Sequence, residues 1–395
     1  MSQAAEADSS LHVLTLTPFF PSRQNEVNGC FVAEPSEQLK QFGVDSSVIA
    51  VSPIHHPRKQ PSLSAVAEWV RYPQFPGSLG LSTAGKALYA RLLRRTQKLH
   101  RVKPIDVIHA HAALPCGHAA ALLSRRLNVP FVVTVHGLDV FNTFFLGGIP
   151  AAWRRKVSVE VYRAAQTVVC ISGKVQEILK AGMPTETHST IVYNGVNPTL
   201  FSPDPPAVEP IDPEILVVGN LLRSKGHELV LRALGNLRAS LPQLRCRIIG
   251  EGPDRPQFEA VARDLGIGPQ VQFVGRQSRA EVAEAMRRCS VFVLPSRNEG
   301  LGCVYLEAMS CGKPVIGCRG QGIEEVIVHA NNGWLIPADG LEELVQGLAA
   351  LLNSPGLCSR IGKAARQTIL EKLTLSQQAE HLVRIYRQAV TRWAG

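Results

Sequence analysis

The chain has 395 residues, 45% of them hydrophobic and 19% charged, with a formal net charge of +10. That balance excludes a disordered chain, and the length favours two globular domains over one. The polar, acidic start MSQAAEADSS does not read as a secretory signal, no apolar run approaches the ~20 residues of a bilayer span, and nine cysteines without a CxxC pair suit a reduced, cytoplasmic protein without a zinc site.

The positive charge is uneven. Residues 1–200 carry 20 Lys and Arg against 12 Asp and Glu, whereas the remainder carries 22 against 20. Much of the excess lies in KALYARLLRRTQKLHRVK, residues 86–103, where Lys86, Arg91, Arg94, Arg95, Lys98, Arg101 and Lys103 stand without an acid beside the apolar Leu88, Leu92, Leu93 and Leu99. A basic amphipathic helix of this kind suits either contact with an anionic membrane, at its inner face for a cytoplasmic protein, or the solvated face of an ordinary domain helix. Nucleic acid is not an expected partner, because no binding motif or interleaved aromatics accompany the charge.

In chain order, residues 11–17, LHVLTLT, predict a buried strand that Pro18 and Pro21 end. A helix over about 30–42 and a strand over 47–51 follow. Residues 52–80, with many Pro, Gly and Ser, predict irregular chain, and the basic helix comes next. Strands over 105–109 and 131–135 bracket a helix near 117–127. Residues 141–150 read as a loop, a helix over about 151–165 leads to a strand over 167–171, and a helix over 173–181 closes the half. This alternation predicts a parallel, doubly wound sheet.

Residues 201–214, FSPDPPAVEPIDPE, contain five prolines and read as a stiff linker. The alternation then restarts, with strands over 215–218, 247–249 and 271–274 and helices over 226–240, 257–265 and 279–288. The most informative stretch is VFVLPSRNEGLGCVYLEAMSCGKPVIGCRGQG, residues 291–322. An apolar strand is broken by Pro295, a loop carries Glu299, Gly300 and Gly302, a helix over about 303–310 carries Glu307, and Gly312 and Pro314 stop it. In an open parallel sheet such turns line the ligand crevice, and the unpaired N–H groups of the first helical turn suit a phosphate. Residues 341–393 are almost wholly helical in pattern. Two Rossmann-like domains joined by a linker predict a cleft between them.

Several segments taken together resemble the retaining glycosyltransferases of family four. In the second half they are VVGNLLRSKG (217–226), IIGEGPD (248–254), VQFVGR (271–276), PSRNEGLGCVYLEAMSCGKPVIG (295–317), GQGIEEVI (320–327) and NGWLIP (332–337). In the first half they are NGCFV (28–32), DVIHAH (106–111), TVHGLDV (134–140), CISGKV (170–175) and YNGVN (193–197). The resemblance implies a GT-B fold, α/β, with two Rossmann-like doubly wound domains facing across a cleft. Residues 1–200 would form the acceptor-side domain, 201–377 the nucleotide-sugar domain, and 378–395 a C-terminal helix crossing back to the first.

The resemblance also implies roles. Glu299 and Glu307 end an E-x7-E motif in which Glu307 accepts hydrogen bonds from the nucleotide ribose and Glu299 holds hydroxyls of the donor sugar, a task suited to a carboxylate. The backbone N–H groups of Gly300, Leu301, Gly302 and Cys303 would meet sugar and phosphate. Lys225 would neutralise the leaving diphosphate. The family's arginine after VG is replaced here by Asn220, and Arg223 is the candidate to supply that charge. Gly250, Glu251 and Gly252 form a turn near the nucleotide, and Arg276 and Gln277 are candidate base contacts or plain turn residues. Gly29 would let backbone approach the diphosphate, with Asn28 in place of a second glycine. His136 would hydrogen-bond the donor sugar or assist the reaction, Asp139 would orient its loop or touch the acceptor, and His109 and His111 would pack rather than react.

The implied reaction is transfer of a sugar from a nucleotide sugar to a hydroxyl of a glycan or lipid-linked acceptor, with retention, in cell-surface polysaccharide or lipid-linked glycan synthesis. Attack on the face from which the diphosphate leaves is implied, so Glu299 is not assigned as a nucleophile. No metal and no cofactor are implied, since helix N–H groups and Lys225 take that place and no DxD occurs. Two other readings stand beside this one: an epimerase-type GT-B enzyme acting on the donor alone, and a catalytically silent nucleotide-sugar-binding protein. The joint presence of His136, Lys225, Glu299 and Glu307 weighs against the silent protein.

Overall fold

The computed structural model describes residues 10–23, 25–61, 66–75, 78–145, 147–205 and 212–395. The polar start and the centre of the proline-rich linker, residues 206–211, lie outside the described residues, as do short pieces of the 52–80 and 141–150 segments. Contacts divide the chain into two compact units. Unit 1 runs to Tyr193 and resumes over Leu375–Gly395, and unit 2 is Asn194–Thr374. The boundaries thus fall at 193/194 and 374/375, rather than at 200/201 and 377/378. The first moves because Phe201 is wholly buried in unit 2, where its carbonyl accepts from Ser310 Oγ at 2.6 Å.

Unit 1 is a seven-stranded sheet built from β1 (Leu11–Thr17), β2 (Val44–Pro53), β3 (Glu68–Tyr72), β4 (Val107–His111), β5 (Phe131–Val135), β6 (Thr167–Cys170) and β7 (Ser189–Ile191). Its order is β3-β2-β1-β4-β5-β6-β7, and every pairing is parallel. β4, β5 and β6 are buried along their whole length, as expected of a parallel sheet covered on both faces. The helices are α1 (Cys30–Gln38), α2 (Ser78–Val102), α3 (His118–Leu127), α4 (Leu138–Phe144), α5 (Ile149–Ala164) and α6 (Gly173–Gly182).

Unit 2 is a six-stranded parallel sheet of order β10-β9-β8-β11-β12-β13. Its strands are β8 (Glu214–Val218), β9 (Arg245–Ile249), β10 (Val271–Gly275), β11 (Val291–Val293), β12 (Val315–Cys318) and β13 (Trp334–Ile336). Its helices are α7 (His227–Leu237), α8 (Arg255–Asp264), α9 (Arg279–Arg288), α10 (Cys303–Ser310), α11 (Leu341–Leu352) and α12 (Pro355–Lys372). The last helix, α13 (Leu375–Ala394), belongs to unit 1. It lays Leu382, Val383, Ile385 and Tyr386 into one core with Val13, Val107, Val132 and Val169 of the sheet. Each such side chain contributes roughly 1.5–3 kcal/mol on burial.

Three expectations need correction. Residues 52–80 are not irregular throughout, because EWVRY forms β3, paired with β2 through Ile49↔Glu68 and Val51↔Val70, and α2 begins at Ser78. Alternation of Val70 and Tyr72 into the core makes the strand, and the surrounding proline and serine hide so short a signal. The 141–150 segment is not one loop: α4 occupies Leu138–Phe144 and α5 begins at Ile149. The strand expected over 105–109 runs over Val107–His111, which brings His111 into the sheet. Among the described residues no helix is long and apolar enough to cross a membrane.

Candidate active site

In each sheet the strand order reverses once, between β1 and β4 in unit 1 and between β8 and β11 in unit 2. Loops leaving the carboxyl ends of strands at such a point diverge and leave room for a ligand. Lys225 lies on the loop after β8 and Glu299 on the loop after β11, so topology alone brings together residues 74 positions apart.

Backbone contacts stitch these two loops. Arg297 N donates to Ser224 O at 2.7 Å, and Ser296 Oγ reaches the same carbonyl at 3.4 Å. Gly226, at φ 76°, ends the turn where they cross, and a Cβ there would stand 2.2 Å from Pro295 O. Glycine is therefore required for both conformation and space. The result is a direct contact, with Lys225 Nζ donating to Glu299 Oε2 at 2.5 Å. Ser296 Oγ donates to the same oxygen at 3.2 Å. The backbone of Glu299 is fixed by its N–H to Gln321 Oε1 at 2.9 Å and by its carbonyl, which accepts from Gly322 N at 3.1 Å.

Three residues past Glu299, Gly302 caps α10 in a left-handed conformation and its carbonyl accepts from Tyr305 N at 3.0 Å. Gly300, Leu301, Gly302 and Cys303 therefore make the turn that enters the helix. Cys303 Sγ accepts from Asn194 Nδ2 at 3.3 Å, and burial pushes its thiol up to about 12, so it is a neutral group at neutral pH. One turn on, Glu307 is only 5% exposed and accepts from Arg279 Nη1 at 2.8 Å. Burial raises its pKa, against the lowering by Arg279.

Arg223 and Glu251 are held elsewhere. Arg223 N donates to Asp254 Oδ2 at 2.8 Å, and its guanidinium donates twice to Gln257 Oε1, at 3.0 and 2.7 Å, at the start of α8. Glu251 pairs with Arg255 at 2.6 Å, and Arg255 also bonds Glu259 at 2.8 Å. Gly250 packs so closely that a Cβ would meet Gly219 O at 1.9 Å, which sets the β9 turn against the end of β8. Arg276 is exposed beyond β10.

In unit 1, Gly29 and His136 share one neighbourhood. A Cβ on Gly29 would fall 2.3 Å from the carbonyl carbon of Phe19, and the Phe19 ring lies 5.7 Å from the His136 ring, edge to face. Phe31 approaches His136 at 4.7 Å from α1. On the other side the ring stacks on His111, with centroids 5.1 Å apart at 18°, and His111 Nδ1 and His136 Nε2 are hydrogen-bonded at 2.9 Å. His109 is hydrogen-bonded at both nitrogens, to Tyr386 OH and Thr134 Oγ1, each at 2.7 Å. Burial holds His109 and His136 at about 3 and His111 well below 6.5, so all three are neutral imidazoles. Asp139 Oδ1 accepts from the N–H of His136 at 2.9 Å and of Val140 at 3.0 Å, which shapes the turn carrying His136.

Sequence reasoning missed Arg279, Ser296, Gln321 and Asn194 in unit 2, and Phe19, Phe31 and Tyr386 in unit 1. Ser296 and Gln321 stand inside motifs already quoted. Arg279, at the start of another helix, carries no local signal.

Residues 203–368 match the family model described as glycosyl transferases group 1, and residues 31–200 match the one described as glycosyltransferase family 4. The D-inositol 3-phosphate glycosyltransferase of Thermobispora bispora is 29% identical over 318 residues, 75% of this chain and 74% of that protein. The structure of sucrose-phosphate synthase from Thermosynechococcus elongatus superposes with a TM-score of 0.81 at 20% identity, over 97% of this chain and 100% of that one. Anabaena HepE, solved in complex with UDP-glucose, superposes with a TM-score of 0.74 at 18% identity, over 96% of this chain and 100% of that one. The chain belongs to the family-four glycosyltransferases and has their two-domain, parallel-sheet GT-B fold.

Proposed function

We propose that this glycosyltransferase moves a sugar from a nucleotide sugar to an acceptor hydroxyl with retention of anomeric configuration, in cell-surface polysaccharide or lipid-linked glycan synthesis. The observation that carries the reading is the Lys225–Glu299 contact at 2.5 Å, beside the N-terminus of α10. It joins a cation suited to a diphosphate with a carboxylate suited to sugar hydroxyls at one strand-order reversal. The similar fold of HepE, crystallised with UDP-glucose, makes UDP-glucose the first donor to try.

In this reading the acceptor oxygen forms a bond to the anomeric carbon as the bond to the diphosphate breaks, and the acceptor proton passes to the departing phosphate oxygen. Lys225 and the N–H groups of Gly300, Leu301, Gly302 and Cys303 stabilise charge growing on that group. Glu307 holds the ribose and Glu299 the sugar, while Gly250, Glu251 and Arg276 serve the nucleotide. Arg223 serves the diphosphate after leaving Gln257. Gly29 serves the diphosphate by backbone approach. His136, neutral and fixed by His111, acts as a hydrogen-bonding partner of the sugar rather than as a cation. Contact with an anionic membrane through residues 86–103 draws support from the exposed Lys86, Arg91, Arg94, Lys98 and Arg101 of α2.

The test is a donor panel scored by nucleoside diphosphate release with and without lipid-linked acceptors, with the anomeric configuration of the product read by NMR. Release that needs acceptor and gives a retained linkage supports the proposal. An inverted linkage sinks retention, and an altered sugar formed without acceptor supports the epimerase reading instead.

A further inference from the structure

Glu307 and Arg279 form an enclosed ion pair in unit 2, with side chains only 7% and 16% exposed. A carboxylate in such a place is costly unless paired, and the pairing here comes from a different helix, α9. Arg279 is itself held: its guanidinium carbon lies 4.9 Å over the ring of Phe201, which is fully buried. The guanidinium thus lies over the ring and donates to the carboxylate. A single guanidinium bond to Oε1 leaves most of the accepting capacity of the carboxylate for other donors.

We infer that Arg279 is a positioning residue of the nucleotide site: seated on Phe201, it fixes the orientation and charge of the Glu307 carboxylate so that this group can accept hydrogen bonds from the donor ribose. The inference rests on the reading that Glu307 takes the ribose. The other titratable groups that feel Glu307 are Cys303 and Cys311 of α10, both pushed up to about 12 by burial. Glu299, Arg287, Lys313 and Arg366 act on those same thiols. The thiols stay neutral through the working range, so Arg279 is the group that opposes protonation of Glu307.

The experiment is calorimetric titration of the full chain with whichever of UDP, GDP and ADP binds tightest, and with its 2′,3′-dideoxy analogue, for the unaltered protein and for Glu307→Gln, Arg279→Met and Arg279→Lys. The unaltered protein should favour the ribonucleotide about 10- to 100-fold, as expected for hydrogen bonds to a charged acceptor. That preference should collapse in both Glu307→Gln and Arg279→Met. In Arg279→Met, residual ribonucleotide affinity should also fall as pH is lowered, because Glu307 then protonates more readily, while Arg279→Lys should restore a flat profile. A merely structural role would weaken both nucleotides alike and leave the pH profile flat. If Glu307→Gln loses the preference and a folded Arg279→Met keeps it, the Arg279 inference is overturned and the ribose reading stands. If Glu307→Gln keeps the preference, or none of the three nucleotides binds, the ribose reading fails and the inference with it.

Discussion

Lys225 Nζ and Glu299 Oε2 are 2.5 Å apart, and both side chains are largely withdrawn from solvent at 23% and 14% exposure. If Lys225 meets the leaving diphosphate as proposed, its ammonium acts on charge that grows only during reaction. Lys225→Met should therefore lower kcat by roughly 10²- to 10³-fold with a smaller change in donor KM. Glu299→Gln should also lower kcat/KM, and the double variant should lose less than the product of the two single losses, since the groups contact each other. Steady-state kinetics on the four proteins check this, and multiplicative effects would show the contact to be incidental.

The crossing of the two loops at Gly226 predicts a stability effect as well. Gly226→Ala must adopt φ 76° and place its methyl 2.2 Å from Pro295 O. At an incompatible site this change costs more than the ~1 kcal/mol it gains elsewhere, and about 2 kcal/mol or more is expected here. Urea unfolding should show a lowered midpoint, together with weakened nucleotide binding.

Acid should destabilise the fold through its buried histidines. His109 and His136 at about 3 and His227 at about 4 stay neutral in the native state, whereas unfolded histidine protonates near 6.5. Below pH 6.5 the unfolded state binds more protons, so stability is complete above that value and falls as pH drops towards 3–4. Asp139, raised to about 6 by burial, and Glu307 and Glu37, also raised by burial, work the other way as pH falls but are outnumbered by the buried histidines. Melting temperatures from pH 7 to 4.5 should decline, and His109→Gln should make the decline shallower.

Tyr386 connects α13 to the histidine cluster through its hydroxyl, 2.7 Å from His109 Nδ1. Tyr386→Phe keeps the ring packing and leaves a buried imidazole nitrogen without its partner. A loss of about 1–3 kcal/mol is expected. Thermal unfolding measures it, and an unchanged melting temperature would show that the nitrogen finds another partner.

On α2 Arg95 pairs with Glu68, and just past its end Lys103 pairs with Asp45, while Arg91, Arg94 and Lys98 are exposed as well. If the helix meets an anionic surface, the charges not engaged in these pairs supply the attraction, each worth about 1 kcal/mol near the bilayer. Replacing Arg91, Arg94 and Lys98 by Gln should weaken binding to phosphatidylserine vesicles about 10-fold or more and leave the fold intact. Equal binding by both proteins would remove the membrane from the proposal.

By itself the sequence determined the alternation of strand and helix in both halves, the approximate spans of α9 and α10, and the presence of Glu299 and Glu307 around one helix start. These are local properties: apolar runs, proline and glycine breaks, and a motif within a few turns of chain. The three-residue strands β7 and β13 escaped it, because an edge strand that short has no periodicity to read. Only the tertiary structure decided which distant groups meet. Lys225 and Glu299 are joined by the β8/β11 reversal, Arg279 reaches Glu307 from another helix, and Tyr386 reaches His109 across 277 residues. Sheet order and helix packing set those pairings, and neither is written in the spacing of the residues they bring together.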